Sequence, residues 1–139
     1  MKLKNLHLLL YIICLASFFT NCTQKDSMNT STIQPGMIKV SIMYPNDEGK
    51  TFDMKYYSEK HMPMVASLYG SSMKHMSIDK GISGRTPDEK MPYIAVGYFY
   101  FDKLSDYREA FAPNAEKILS DIPNYTNIQP IVQISEVIQ

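Results

Sequence analysis

Two histidines and a set of tyrosines are the residues of this chain best suited to chemistry. His61 lies four residues after Tyr57 and three before Met64, so on a helix Tyr57, His61, Met64 and Leu68 form one stripe. An imidazole there can take or give a proton near neutral pH, with the Tyr57 hydroxyl as donor or relay. The competing reading is a core histidine bonded to a backbone carbonyl. Pro63 offers one, because a proline cannot donate to the carbonyl of Glu59. His75 falls in a strand-like stretch with Met73, Ser77 and Asp79 on the same side by alternation. Asp79 is too far away to pair with it directly on an extended strand, which rises about 3.3 Å per residue. Ser41 and Met43 share one face of an earlier strand, opposite Ile38, Val40 and Ile42, and Tyr98 belongs to a later one. Tyr57 and His61 are therefore the catalytic candidates. Ser41, Met43, Met64, Leu68, His75 and Tyr98 are candidates for the walls of a ligand cavity.

Other chemistries fit poorly. Gly81-Ile82-Ser83-Gly84 lacks the Gly-Lys-Ser/Thr of a phosphate loop and the third glycine of a dinucleotide fingerprint. Two histidines on different elements do not make a metal site, and a haem held by one of them is disfavoured, so no metal and no cofactor is expected. The formal charge is zero, with 14 basic and 14 acidic residues, which excludes the basic footprint of a nucleic-acid binder. Ten tyrosines and ten methionines supply adaptable apolar surface, as a core or a ligand cavity would use.

The N-terminus has the form of an export signal. Lys2 and Lys4 precede an apolar run from Leu6 to Phe19, about 14 residues and thus shorter than the ~20 needed to span a bilayer. Phe19-Thr20-Asn21-Cys22 closes it and resembles a bacterial lipoprotein box, without the usual leucine three before the cysteine or the small residue just before it. Residues 1–21 are read as a signal peptide and Cys22 as the lipidated first residue of the mature chain. Residues 22–36, rich in Ser, Thr, Asn and Gln, are read as a flexible tether, and residues 37–139 as one domain. The expected location is the cell envelope, with the lipid as membrane anchor. Cys14 would leave with the signal and Cys22 would carry lipid, so the mature domain has no free thiol.

Within that domain, Met37 to Tyr44 alternates as a strand and ends at Pro45-Asn46-Asp47-Glu48-Gly49. Phe52 to Tyr69 is helical in pattern, with Thr51 or Asp53 as cap, Gly70 as stop and a kink expected at Pro63. Ser72 to Ile82 and Tyr93 to Phe101 read as strands, separated by a loop from Gly81 to Pro92. Leu104 to Leu119 is an amphipathic helix interrupted by Pro113, and Ile128 to Val137 is the last strand. The order βαββαβ is that of a ferredoxin-like α+β fold: a four-stranded antiparallel sheet with two helices on one face. Ile94, Val96, Phe99 and Phe101 are too apolar to leave both faces of their strand wet, so the bare sheet face must be covered, and a second copy is expected to cover it.

Three segments carry a specific likeness. Phe52-Asp53-Met54-Lys55-Tyr56-Tyr57 with His61-Met62-Pro63-Met64 resembles a motif of the EthD family. Pro92-Tyr93-Ile94-Ala95 resembles a second family segment, and Asp121-Ile122-Pro123-Asn124-Tyr125-Thr126 leading to Ile128-Gln129-Pro130 a third. The resemblance implies a homodimeric α+β barrel with a cavity in each protomer, roofed by a helix and suited to a small apolar or aromatic molecule. The reductase label often attached to the family fits poorly with an exported protein. A cofactor-independent isomerase, decarboxylase or oxidoreductase is therefore expected, with a non-catalytic ligand-binding or accessory module as the alternative and a purely structural dimer as a third reading.

Overall fold

The computed structural model describes residues 32–139; the apolar leader, Cys22 and most of the tether lie outside the described residues. Among the described residues, no helix is long and apolar enough to cross a membrane. Four strands, β1 (Ile38–Pro45), β2 (Met73–Lys80), β3 (Tyr93–Phe101) and β4 (Ile131–Glu136), form one antiparallel sheet in the order β2-β3-β1-β4. The first helical segment runs between β1 and β2, and the second between β3 and β4. This is the ferredoxin-like α+β fold that the element order predicts.

The first helical segment comprises α1 (Met54–Tyr56), a π-helical turn (Tyr57–His61) and α2 (Met62–Tyr69). The Asp53 carboxylate caps its start by accepting from the Tyr56 amide at 3.0 Å. Gly70 closes α2 with φ of +54°, a conformation that costs glycine little. Where a kink is expected at Pro63, α2 begins with the proline in its first turn and a π turn lies just before it, in which the Met62 amide bonds back to the Tyr57 carbonyl. The second segment breaks at Pro113 into α3 (Leu104–Phe111), a 3₁₀ turn and α4 (Ala115–Asp121). A further 3₁₀ turn, Ile122–Asn124, follows.

Register decides which side chains share a face. Val40 pairs with Phe99, Ile42 with Gly97 and Tyr44 with Ala95, and these residues face the helices. The core there joins Val40, Tyr44, Phe99 and Phe101 to Tyr57, Met62, Val65, Tyr69 and Ile118. Phe99 and Phe101 therefore do not contribute to the open face. That face carries Lys39, Ser41, Met43, His75, Ser77, Asp79, Val96, Tyr98, Tyr100, Ile131 and Gln133, a mixture of polar and apolar residues. On the edge strand β4 three apolar residues are exposed, Ile131 on this face and Val132 and Ile134 on the face that the helices cover. The two ends of the domain meet beyond the sheet: the Gly36 amide donates to the Val137 carbonyl at 2.7 Å, and the Val137 amide to the Met37 carbonyl at 2.8 Å.

Gly97, in the middle of β3, is a position where a larger residue cannot fit. A Cβ there would overlap the Tyr57 hydroxyl oxygen and lie 2.9 Å from Met62 Cε. Overpacking of this kind costs about 1–3 kcal/mol. Gly97→Ala is expected to lower the urea midpoint by an amount in that range, and adding Tyr57→Phe, which removes the clashing oxygen, is expected to recover most of the loss. Additive losses in the double variant would show that the hydroxyl and the glycine are not coupled.

Candidate functional site

The π turn determines which side chains of the first helical segment point inward. It adds a residue to one turn, so the inward stripe of Tyr57 and His61 continues through Met62, Val65 and Tyr69, all buried. Met64 and Leu68, which an uninterrupted helix would place on that stripe, are half-buried against the margin of the core. Between this segment, α3, α4 and the sheet lies a cavity of about 100 Å³. Its floor is Val40, Ile42, Tyr44 and Phe99, its roof includes Tyr57, His61, Val65 and Ile118, and Leu119, Pro130 and Val132 also border it. Leu119 and Val132 are 54% and 52% exposed and form its outer rim.

Tyr57 and His61 are thus brought together, their rings stacked at 5.8 Å between centroids and 18° between planes. The other wall candidates are not brought to them. Ser41, Met43, His75 and Tyr98 are on the open face of the sheet, where His75 packs edge-on against Tyr100. The alternation that separated Ser41 and Met43 from Val40 and Ile42 was legible; which of the two faces the helices cover was not.

Asp121, at the end of α4, is the partner that the residue pattern did not reveal. His61 Nδ1 lies 2.8 Å from Asp121 Oδ2, and no bond to the Glu59 carbonyl forms. The other carboxylate oxygen accepts from the Tyr56 hydroxyl at 2.9 Å and from the Asn124 amide at 2.8 Å. Burial raises the carboxyl pKa, but hydrogen bonds from His61, Asn124 and Tyr56 outweigh it and hold Asp121 below the ordinary carboxylate value. A carboxylate only accepts, so Nδ1 must donate, which leaves Nε2 of a neutral ring as a lone-pair acceptor. Nε2 has no protein partner among the described residues, and the ring lines the cavity. Burial depresses the imidazole pKa below its usual value, against the opposing pull of Asp121. At neutral pH the site therefore presents a neutral base held in one tautomer by a carboxylate.

Aromatic rings enclose this pair. Tyr125 packs against His61 at 4.6 Å between centroids, and its hydroxyl is 2.6 Å from that of Tyr44. Burial, only partly offset by that hydrogen bond, pushes the Tyr44 phenol up to about 12. The Tyr57 hydroxyl is buried over Gly97 with no hydrogen-bond partner among the described residues, and burial followed by the neighbouring Tyr44 pushes its pKa up strongly. Among the described residues, no group of three or more His, Cys, Asp or Glu side chains is placed to hold a metal ion.

Comparison with known families agrees with the motifs quoted above. The model of the EthD domain matches residues 47–129, most of the described chain and all of the His61 and Asp121 segments. The chain belongs to the EthD family. An EthD-like protein from Ralstonia eutropha JMP134 is 40% identical, with a TM-score of 0.72 over 76% of this chain and 96% of that one. An EthD family protein from Bacillus halodurans C-125 shares the fold at 15% identity, with a TM-score of 0.57 over 72% of this chain and 97% of that one. A dimeric ferredoxin-like protein of unknown function from Thermobifida fusca YX aligns at 11% identity and a TM-score of 0.49, over 76% of this chain and 95% of that one. No curated protein matches the chain. The signal for Asp121 was present in the Asp-Ile-Pro-Asn-Tyr segment of the EthD likeness, but its spacing from His61 is 60 residues, beyond any local rule.

The lowered His61 pKa has a definite sign in the stability of this EthD domain. Between its folded pKa and the ordinary value of about 6.5, the unfolded chain binds the extra proton, so stability is full above ~6.5 and falls as pH drops through the folded pKa. Asp121 adds a similar loss only below its ordinary value of 3.8. Urea unfolding from pH 8 to pH 5 is expected to show an acid limb that disappears in His61→Gln. A limb unchanged in that variant would assign it to other groups.

Proposed function

We propose that this EthD domain binds a small apolar or aromatic molecule in the cavity between helices and sheet, and that His61 moves a proton on it. The observation that carries this reading is the His61–Asp121 pair: a buried imidazole with one nitrogen fixed by a carboxylate and the other unpartnered at an apolar cavity. The proton leaves the ligand for Nε2, the electron pair remains on the ligand, and Asp121 stabilises the imidazolium formed. Return of the proton to a different atom completes an isomerisation with no other reactant. Tyr57, stacked on the imidazole, holds the ring in place and shields it from water.

The test is hydrogen–deuterium exchange at the α-carbon of acetophenone and related aryl ketones in D₂O, followed by proton NMR. The native protein is expected to accelerate exchange over buffer. His61→Ala, checked for native circular dichroism, is expected to lose roughly 10²-fold or more of that acceleration, the usual contribution of a general base. Binding of these ketones by the native protein with no acceleration would replace this reading with that of a non-catalytic binding module.

We also propose that the domain is exported, anchored through lipid on Cys22 and paired with a second copy. The leader and its Cys22 support the first part, and the exposed Ile131, Val132 and Ile134 on edge strand β4 support the second. In a bacterial host given radiolabelled palmitate, the native chain is expected to take up label and Cys22→Ser is not. The unlipidated variant is expected to sediment as a dimer. Label retained by Cys22→Ser would remove the anchor, and a monomer at micromolar concentration would remove the pairing.

A further inference from the structure

The groups lining the cavity restrict the ligand more narrowly than its apolar character does. Among the described residues its lining includes no Lys or Arg to balance an anionic ligand, and the Asp121 carboxylate stands directly behind the imidazole. With Nδ1–H committed to Asp121, Nε2 can only accept. The Tyr57 hydroxyl is sealed over Gly97 and gives an incoming molecule no ready donor. Tyr44, Tyr69 and Tyr107 also line the cavity, the Tyr44 hydroxyl already bonded to Tyr125, so among the described polar groups Nε2 alone brings a lone pair and no hydrogen, within an otherwise hydrocarbon and aromatic wall. Its volume of about 100 Å³ is below the ~150 Å³ that holds benzene, so a single ring fits only if the rim at Leu119 and Val132 yields slightly.

We propose that the ligand is an uncharged molecule of about one ring whose polar group is a hydroxyl on unsaturated carbon, a phenol or an enol, donating to His61 Nε2. This rests on the reading of the cavity as the ligand site and specifies what it accepts. Such a hydroxyl is neutral at physiological pH and brings the one hydrogen that Nε2 lacks. It is attached to a flat apolar body that packs against Val40, Phe99 and Tyr57. A carboxylate would be refused twice, by the lone pair on Nε2 and by the negative charge behind it. An ether or ester oxygen of the same shape would meet an acceptor with another acceptor.

The experiment compares four probes of similar outline by ¹⁹F NMR at pH 7.5: 4-fluorophenol, 4-fluorotoluene, 4-fluoroanisole and 4-fluorobenzoate. The native protein is expected to bind the phenol about tenfold more tightly than the toluene or the anisole, the yield of one buried hydrogen bond, and the benzoate most weakly. His61→Phe keeps a flat ring but has no acceptor, and is expected to level phenol and toluene. Asp121→Asn frees Nδ1 from its obligatory donation and lets Nε2 carry the proton, so the preference for phenol over anisole is expected to fall to within about twofold even if His61→Phe does not fold. A purely structural role for Asp121 would weaken all four probes together and leave their order intact. Equal binding of phenol and toluene by the native protein, tightest binding of the benzoate, binding of none of the four, or an unchanged phenol preference in Asp121→Asn would each overturn the proposal. Because the readout is binding, a protein that prefers the phenol but exchanges no deuterium would lose its catalytic role and keep its ligand class.

Discussion

A proline cannot donate a backbone hydrogen bond, and the site takes its form from how the first helical segment accommodates Pro63. An uninterrupted α-helix would leave the Glu59 carbonyl without its donor. Here the helix has already widened into a π turn over Tyr57–His61 by the time the proline is reached. The extra residue rotates everything after it by about a quarter turn or a little more, given 3.6 residues per turn. Tyr57 and His61 before the shift, and Met62, Val65 and Tyr69 after it, can then all face the sheet. Without the widening, Met64 and Leu68 would take the inner positions, and Met62 would lose its place beside Gly97.

The same geometry brings His61 within reach of the second helical segment. Asp121 ends α4, where the helix dipole disfavours a carboxylate. Donors from three side chains compensate, two on the first helical segment and one, Asn124, just past α4. The pair therefore links the two helical layers as well as setting the tautomer. Burial works against charge on the imidazole while the hydrogen bonds favour charge on the carboxylate, which separates the two groups into a neutral base and an anion.

Much of the scaffold was legible in the chain. Period-two alternation located β1, and the dense apolar run gave β3 with its observed bounds, Tyr93–Phe101. Pro113 marked the break between α3 and α4, and Gly70 the end of α2. β4 was drawn too long because Ile128 is apolar and buried, yet it belongs to the connector and not to the sheet. The site was only half legible. Tyr57 and His61 are four apart and declare themselves by local spacing, whereas Asp121 and Tyr125 arrive through tertiary packing. The stripe through Met64 and Leu68 misled because a π turn has no residue signature of its own. Alternation sorted Ser41 and Met43 from Val40 and Ile42, but alternation is symmetrical and cannot say which side a helix will cover.

The hydrogen bonds joining Gly36 and Met37 to Val137 place the beginning of the folded domain beside its end. Domains whose termini adjoin can be cut elsewhere and rejoined there. The stretch between β2 and β3 is mostly exposed and contributes none of the lining of the cavity, so it is the natural place for the new break. A permuted chain opened in that loop would begin at β3 and end at β2. It would carry His61 and Asp121 in the opposite order and still assemble the same pair, since the order in which they are synthesised plays no part in how they meet.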